Sequence, residues 1–124
     1  MTTVLKVLLV DDEKEFVDVL AMRLRMRKFD VTVVYGGKEA IEAITNSKPD
    51  VIVLDMKMPC MGGSEVVRWI KSYAADLPII ILTGYSSETD TNEVLSLGVV
   101  DILRKPPEIT QLLKTIKCAC STSE

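Results

Sequence analysis

Short apolar runs alternate with longer amphipathic stretches along the whole chain. Five runs rich in Val, Ile and Leu predict buried strands: Leu5–Val10, Val31–Tyr35, Val51–Leu54, Ile79–Leu82 and Val99–Leu103. After each run, apolar residues recur at helical spacing, which predicts five amphipathic helices. The fourth of these, over 87–98, has apolar side chains only in its second half, and Gly98 is expected to end it.

This alternation predicts the fold class. Continuously apolar strands separated by helices indicate a parallel sheet covered by helices on both faces. Right-handed crossovers then produce an α/β, doubly wound architecture, whose flavodoxin-like form has the strand order 2-1-3-4-5. A chain of 124 residues has room for one such domain and not for a second. We expect a single domain over 1–124, with its core over about 4–118 and a frayed tail over 119–124.

Composition narrows the chemistry that this domain can perform. The chain has no histidine, which excludes serine–histidine triads, histidine-ligated zinc and a phosphohistidine on this chain. Its net charge of −3 predicts no direct nucleic-acid binding. The apolar runs are far shorter than the roughly 18 residues of a membrane span, so no membrane association is expected. Three cysteines without a signal peptide predict a reducing, cytoplasmic setting.

Polar residues with chemical potential follow four of the five predicted strands. Asp11 and Asp12 follow the first strand, Asp55 the third, Thr83 the fourth and Lys105 the fifth. A single Asp after a strand is often only a helix cap or a turn former. In an open α/β sheet, however, ligands bind beyond the carboxyl ends of the strands, and the order 2-1-3-4-5 makes strands one and three neighbours there. The joint pattern therefore predicts one acidic pocket flanked by a hydroxyl and an ammonium group.

Such a pocket favours a divalent cation. Three close carboxylates raise one another's pKa values unless a cation lies among them, and Mg²⁺ combines one or two carboxylates with water and phosphate oxygens. One carboxylate can then act as a nucleophile and form an aspartyl phosphate. Phosphoryl transfer requires mainly positioning and charge neutralisation, which the metal, Lys105 and Thr83 can supply.

Four motifs carry a resemblance to a known family over essentially the whole chain. They are Val-Asp-Asp-Glu at 10–13, Val-Leu-Asp-Met-Lys-Met-Pro at 53–59, Leu-Thr-Gly at 82–84 and Arg-Lys-Pro at 104–106. In this order and strand context, the chain resembles the CheY-like receiver domain of two-component response regulators. The resemblance implies a regulatory phosphoacceptor domain that is not a conventional enzyme but assists its own phosphorylation and dephosphorylation.

The resemblance also implies roles for the residues around the phosphoryl group. Asp55 would be the phosphoacceptor, Thr83 the hydroxyl that turns toward the phosphoryl group, and Lys105 the ammonium that pairs with it. Gly84 would be the small residue that leaves access to the phosphate. The peptide bond before Pro106 would be cis, a form whose free-energy penalty proline lowers.

A Mg²⁺ site is implied by the same comparison of motifs. Asp12 and Asp55 would bind the ion directly, and Asp11 would bind it through water. The backbone carbonyl of Lys57 would be a further ligand.

Three positions depart from the family pattern. Ile102 replaces the aromatic ring that usually reorients on activation, so we expect movement of Thr83 to reach the last two helices through backbone and helix packing. Lys57 places a cationic side chain at the mouth of the site, across from Tyr85, and is either a solvated loop residue or a modulator of donor access and acyl-phosphate lifetime. Gly62 stands where an Asp commonly caps the third helix, which predicts reduced local stability.

The implied partners are a sensor histidine kinase or phosphotransfer protein as donor, and a downstream protein or fused output domain as reader. The reader would contact the surface of helix 4, strand 5 and helix 5. Dimerisation on phosphorylation, the output, and whether the domain stands alone or belongs to a longer regulator stay open. One alternative is a phosphohydrolase of the haloacid-dehalogenase type, but it needs an acid where this chain has Lys57. The other is a receiver-like binding module that is no longer phosphorylated.

Overall fold

A five-stranded parallel sheet forms the centre of the computed structural model, which describes residues 4–84 and 88–121, the side chains of 88–91 and 121 excepted. The strands are β1 (Lys6–Val10), β2 (Asp30–Val34), β3 (Val51–Asp55), β4 (Ile79–Thr83) and β5 (Asp101–Arg104). The helices are α1 (Lys14–Met26), α2 (Gly37–Asn46), α3 (Gly63–Tyr73), α4 (Glu88–Ser96) and α5 (Ile109–Ser121). The order β2-β1-β3-β4-β5, with every neighbouring pair parallel, confirms the predicted flavodoxin-like fold.

Hydrophobic residues cover both faces of the sheet. Successive strand residues point to opposite faces, so Leu8 and Ile52 pack in a cluster with α2 and α3, whereas Leu9 and Val53 pack in a second cluster with α1 and α5. Every residue of β3 is buried because this central strand is covered on both sides. The continuous apolar runs of the sequence are explained by this double burial.

Every strand differs slightly in its bounds from the prediction: β1 starts one residue later, and β3 and β4 each end one residue later. β2 starts and ends one residue earlier than expected, and β5 starts at Asp101 instead of Val99. The chain before β5 is still completing the turn that ends α4: Gly98 has φ of 92°, which glycine adopts readily, and its N–H donates to the Leu95 carbonyl at 3.1 Å. Val100 is 46% exposed at the end of this turn, so it lies outside the buried strand although it is apolar.

Two helices differ at their ends: the fourth, expected over 87–98, ends at Ser96, and the last runs longer than expected. α5 continues to Ser121, and Ala119 within it is only 4% exposed, so helical structure runs past the expected core boundary at 118. The rest of the expected tail, 122–124, lies outside the described residues. None of the helices in the described part of the chain combines the length and apolar character that crossing a bilayer requires.

The loop between β3 and α3 is held tightly against the end of β3. The N–H of Gly63 donates to the Met56 carbonyl at 2.9 Å, and a Cβ at position 63 would lie 3.0 Å from the carbonyl oxygens of Asp55 and Met56. Only glycine allows the backbone to approach so closely. Gly62 is the N-cap of α3 and makes no side-chain cap, and the reduced local stability expected there stays a prediction. This loop fixes the backbone immediately after Asp55.

Candidate functional site

The predicted acidic residues meet at the carboxyl edge of the sheet. Because β1 and β3 are adjacent, with Val10 opposite Leu54, the chain segments that follow them emerge side by side. Carboxylate oxygens of Asp11, Asp12 and Asp55 lie within 4.8 Å of one another. The strand order therefore brings Asp55 together with the adjacent pair Asp11 and Asp12, which lie more than forty residues earlier in the sequence.

Burial makes this cluster electrostatically costly. Asp11 is 2% exposed and Asp55 6% exposed, whereas Asp12 is more open to solvent. Burial, followed by the negative charge of Asp11, raises the pKa of Asp55 to about 6, although Lys105 and the backbone N–H of Lys57 oppose this shift. Burial also raises the pKa of Asp11 above its ordinary value. The protein alone thus leaves negative charge at this edge incompletely compensated.

Lys105 is the cation inside the cluster. Its Nζ lies 2.9 Å from Asp11 Oδ2 and 3.8 Å from Asp55 Oδ1, and it forms an ion pair with Glu13. It also lies 4.7 Å from the centroid of the Phe16 ring. Burial lowers the pKa of Lys105, but hydrogen bonds to Asp11 and Glu13 outweigh it and raise that pKa above its ordinary value. The ammonium group is therefore held charged.

Thr83 and Gly84 line the site at the end of β4, beside Lys105. The buried Oγ1 of Thr83 has no hydrogen-bond partner among the described residues, so its donor and acceptor capacity is unused. Gly84 leaves space, since a Cβ there would come no closer than 3.8 Å, to the Lys105 Cβ. The site contains a cavity of about 280 Å³, lined by Asp12, Glu13, Asp55, Met56, Lys57, Thr83, Gly84 and Lys105. The cavity can admit a small anionic group next to Asp55.

The donor set fits a hard divalent cation. The clustered ligands are carboxylate oxygens without thiol or imidazole, a set that suits Mg²⁺. Two ligands on opposite sides of one Mg²⁺ are about 4 Å apart, so the carboxylate separations here need only small side-chain adjustments. The raised pKa of Asp55 has the same cause that a bound cation would remove, namely negative charge in a buried place.

The structure describes two of the three remaining predicted positions, Pro106 and Ile102. The Lys105–Pro106 peptide bond is cis, as the resemblance implied. Ile102 pairs with Ile81 across β4 and β5 and packs, partly buried, against the cluster on the α2 and α3 side of the sheet. Tyr85 lies outside the described residues.

Two residues that touch Lys105 were assigned no role by the sequence. Glu13 and Phe16 belong to the start of α1, and the separation of 92 residues between Glu13 and Lys105 hides their contact from any local pattern. One local signal was available: Glu13 stands at the N-cap of α1 and makes no side-chain cap. Glutamate is not among the preferred capping residues.

Comparison with known proteins agrees with this geometry. Residues 7–117 match the sequence model of the family described as response regulator receiver domain. A receiver domain protein from Clostridium thermocellum is 27% identical, with a TM-score of 0.91 and 96% of each chain covered. The receiver domain of a signal transduction histidine kinase from Syntrophus aciditrophicus is 28% identical, with a TM-score of 0.88, over 97% of this chain and 92% of that one. The chemotaxis response regulator CheY4 of Vibrio cholerae is 31% identical, with a TM-score of 0.85, over 94% of this chain and 99% of that one.

Proposed function

Because the chain belongs to the response regulator receiver domain family, we propose that Asp55 accepts a phosphoryl group from a phosphohistidine of a sensor histidine kinase or phosphotransfer protein in the cytoplasm. The observation that carries this proposal is the environment of Asp55. Its carboxylate is 6% exposed, lies beside two further acids, and faces a cavity bounded by Lys105 and Thr83. A buried acid in that setting is a poor structural element and a well-positioned nucleophile.

In the proposed reaction, a carboxylate oxygen of Asp55 attacks the phosphorus of the donor. The new O–P bond forms as the N–P bond to the donor imidazole breaks, and the bonding electron pair stays on that nitrogen. The Lys105 ammonium, 3.8 Å from Asp55 Oδ1, is close enough to pair with the transferred group after a small movement. The unpartnered hydroxyl of Thr83 can donate to one of its oxygens.

Asp12 and Asp55 would hold Mg²⁺ directly, Asp11 through water, and Lys57 through its backbone carbonyl. When bound, the ion supplies charge neutralisation for the phosphoryl oxygens. Asp11 has a second task in this arrangement, since its contact with Lys105 at 2.9 Å keeps the ammonium group at the site. Asp11 is occupied by its contact with Lys105, and Asp12 is more exposed, so Asp12 is better suited to bind the ion directly.

We propose that phosphorylation changes the surface of α4, β5 and α5, which a downstream protein or fused output domain reads. Thr83 is tied to this surface through the backbone, because the Lys105 N–H donates to the Thr83 carbonyl at 2.9 Å and Thr83 pairs with Arg104. Ile102 packs beside α4 in the same cluster as Val94. A shift of Thr83 would therefore move β5 and α4 without a rotating aromatic ring.

The proposed function is tested by intact mass after incubation with acetyl phosphate and Mg²⁺. We expect the wild-type protein to gain one phosphoryl mass, and we expect chelation of Mg²⁺ to prevent the gain. Absence of any gain with acetyl phosphate, and with a phosphorylated kinase as donor, would favour the unphosphorylated binding module. Steady release of inorganic phosphate from a simple phosphomonoester would favour the phosphohydrolase.

Mg²⁺ is expected to stabilise the folded domain before any phosphorylation. The unfolded chain cannot gather the three acids, so only the folded state binds the ion, and a concentration of one hundred times Kd should add about 2.7 kcal/mol to the free energy of unfolding. Urea titrations at constant ionic strength measure this increase. Asp12→Asn should remove most of it, whereas Asp76→Asn, at an acid 85% exposed and distant from the site, should retain it. Equal stabilisation of all three proteins would contradict a site at Asp12.

Lys57 is expected to assist anionic phosphoryl donors. Its side chain is exposed and lines the cavity in front of Asp55. Loss of one exposed cation at this mouth should slow phosphorylation by acetyl phosphate by up to about fivefold, which corresponds to the upper end of the roughly 0.2–1 kcal/mol typical of exposed ion pairs. The measurement is the initial rate of mass gain for Lys57→Ala, with Lys48→Ala as a distant control. Identical initial rates and identical dephosphorylation rates for Lys57→Ala and wild type would leave Lys57 as a solvated loop residue.

A further inference from the structure

The ammonium group of Lys105 is paired with Asp11 and with Glu13, and it lies farther from Asp55. Its Nζ forms an ion pair with Glu13, at the start of α1, and lies 4.7 Å from the ring centroid of Phe16 in the first turn. The separation from Asp55 Oδ1 is 3.8 Å, which is too long for a hydrogen bond. Glu13 and Phe16, together with Asp11, therefore hold the ammonium group out of hydrogen-bond distance of the proposed phosphoacceptor.

Glu13 contacts Lys105 and leaves the first turn of α1 without a side-chain cap. It occupies the N-cap position of α1, where a short polar side chain would accept a hydrogen bond from the first turn, yet it makes no such bond. Its carboxylate reaches across to Lys105 instead. Departures from a local preference of this kind concentrate at functional sites. The side chain of Glu13 is 64% exposed, so it can release Lys105 and turn into water without leaving a buried charge.

We propose that Glu13 is a positioning residue that holds Lys105 in a resting position and competes with the phosphoryl group on Asp55 for its ammonium. This inference rests on the proposed function, since it gives Glu13 a part in the same phosphorylation. Pairing of Lys105 with a transferred phosphoryl group draws the ammonium toward Asp55 and weakens its pairing with Glu13. A phosphoryl group carries more negative charge than one carboxylate, so it attracts the ammonium group more strongly than Glu13 does. Before phosphorylation, the side chain of Lys105 stays in contact with Glu13.

Two substitutions separate this role from a simple effect of charge. Glu13→Gln removes the negative charge, and Glu13→Asp keeps the charge on a side chain one methylene shorter, which withdraws it from Lys105. We expect both variants to be phosphorylated by acetyl phosphate and Mg²⁺ about two- to fivefold faster than wild type, because the pair joins a Lys105 side chain 10% exposed to a Glu13 side chain 64% exposed and so reaches the upper end of what surface pairs contribute. Glu15→Gln, which neutralises an exposed acid in the first turn of α1, should match wild type.

A second measurement follows Lys105 directly and needs no phosphorylation. The rate at which a small anhydride acylates the Lys105 amine, read by peptide mass mapping without Mg²⁺, should rise in Glu13→Gln and Glu13→Asp and stay unchanged in Glu15→Gln. Acceleration of phosphorylation in Glu13→Gln alone would mean that Glu13 only repels the donor, which overturns the proposal. Unchanged acylation of Lys105 in both Glu13 variants also overturns it. If the wild-type protein takes no phosphoryl group, the proposed function fails, while acylation still decides whether Glu13 holds Lys105.

Discussion

Replacing Asp55 by asparagine is expected to abolish the gain of one phosphoryl mass from acetyl phosphate and Mg²⁺. The amide has nearly the size of the carboxyl group, so the surrounding packing can be kept, but it lacks the anionic oxygen that attacks phosphorus. Among the three clustered acids, Asp55 is the one that both lines the cavity and is buried. Intact mass of the wild type and Asp55→Asn after the same incubation measures the effect.

The control for this substitution is an asparagine introduced away from the site. Asp76 precedes β4 and is 85% exposed, so Asp76→Asn should gain the phosphoryl mass as the wild type does. A full gain by Asp55→Asn would show that the acceptor is another residue, and peptide mapping would then identify it. Circular dichroism of both variants checks that the fold is retained.

The second large effect is a loss of stability as pH rises in the absence of Mg²⁺. The pKa of Asp55 is raised from its ordinary value of 3.8 to about 6 in the folded state. Between these values the folded state holds a proton that the unfolded state has released, so the free energy of unfolding falls as pH increases from about 4 to about 6. The full shift corresponds to about 3 kcal/mol. Asp11, whose pKa is raised as well, acts in the same direction.

Asp55→Asn isolates the share of this dependence that belongs to Asp55. Above pH 6 in the presence of a chelator, the variant should be more stable than the wild type by up to about 3 kcal/mol, and the two should converge below pH 4. Urea unfolding at several pH values provides the measurement, with Asp76→Asn expected to follow the wild type. If the free energies of unfolding of wild type and Asp55→Asn changed with pH in parallel, the pKa of Asp55 would not be raised by folding, which would contradict this prediction.

Glu13 illustrates a limit of reading chemistry from a strand-end pattern. The same pattern placed Asp11, Asp12, Asp55, Thr83 and Lys105 at one edge of the sheet, and the structure brings these residues together. The contact between Glu13 and Lys105 joins residues 92 positions apart and depends on where α1 begins relative to β5. Strand ends are recognisable from composition, but side-chain partners across such a distance depend on packing.

Element boundaries show a related limit. The apolar run at 99–103 predicted a strand from Val99, whereas the turn at Gly98 that ends α4 delays β5 to Asp101. Composition reports that a residue is apolar, but not whether the backbone has yet reached its strand partner. The end of α5 differs because Ala119 is buried by tertiary contacts, and a single alanine in the sequence does not indicate whether it will be buried.

The sequence by itself determined that this protein alternates five buried strands with five helices, and that acids, a hydroxyl and a lysine follow those strands. Such features are local, because hydrophobic periodicity and turn residues act over a few neighbours. The tertiary structure decided how deeply Asp55 is buried and therefore how its pKa is shifted. It also decided that the ammonium group of Lys105 contacts Glu13 and Phe16. Burial and charge pairing are sums over atoms from distant parts of the chain, so they exist only once the strands and helices have packed.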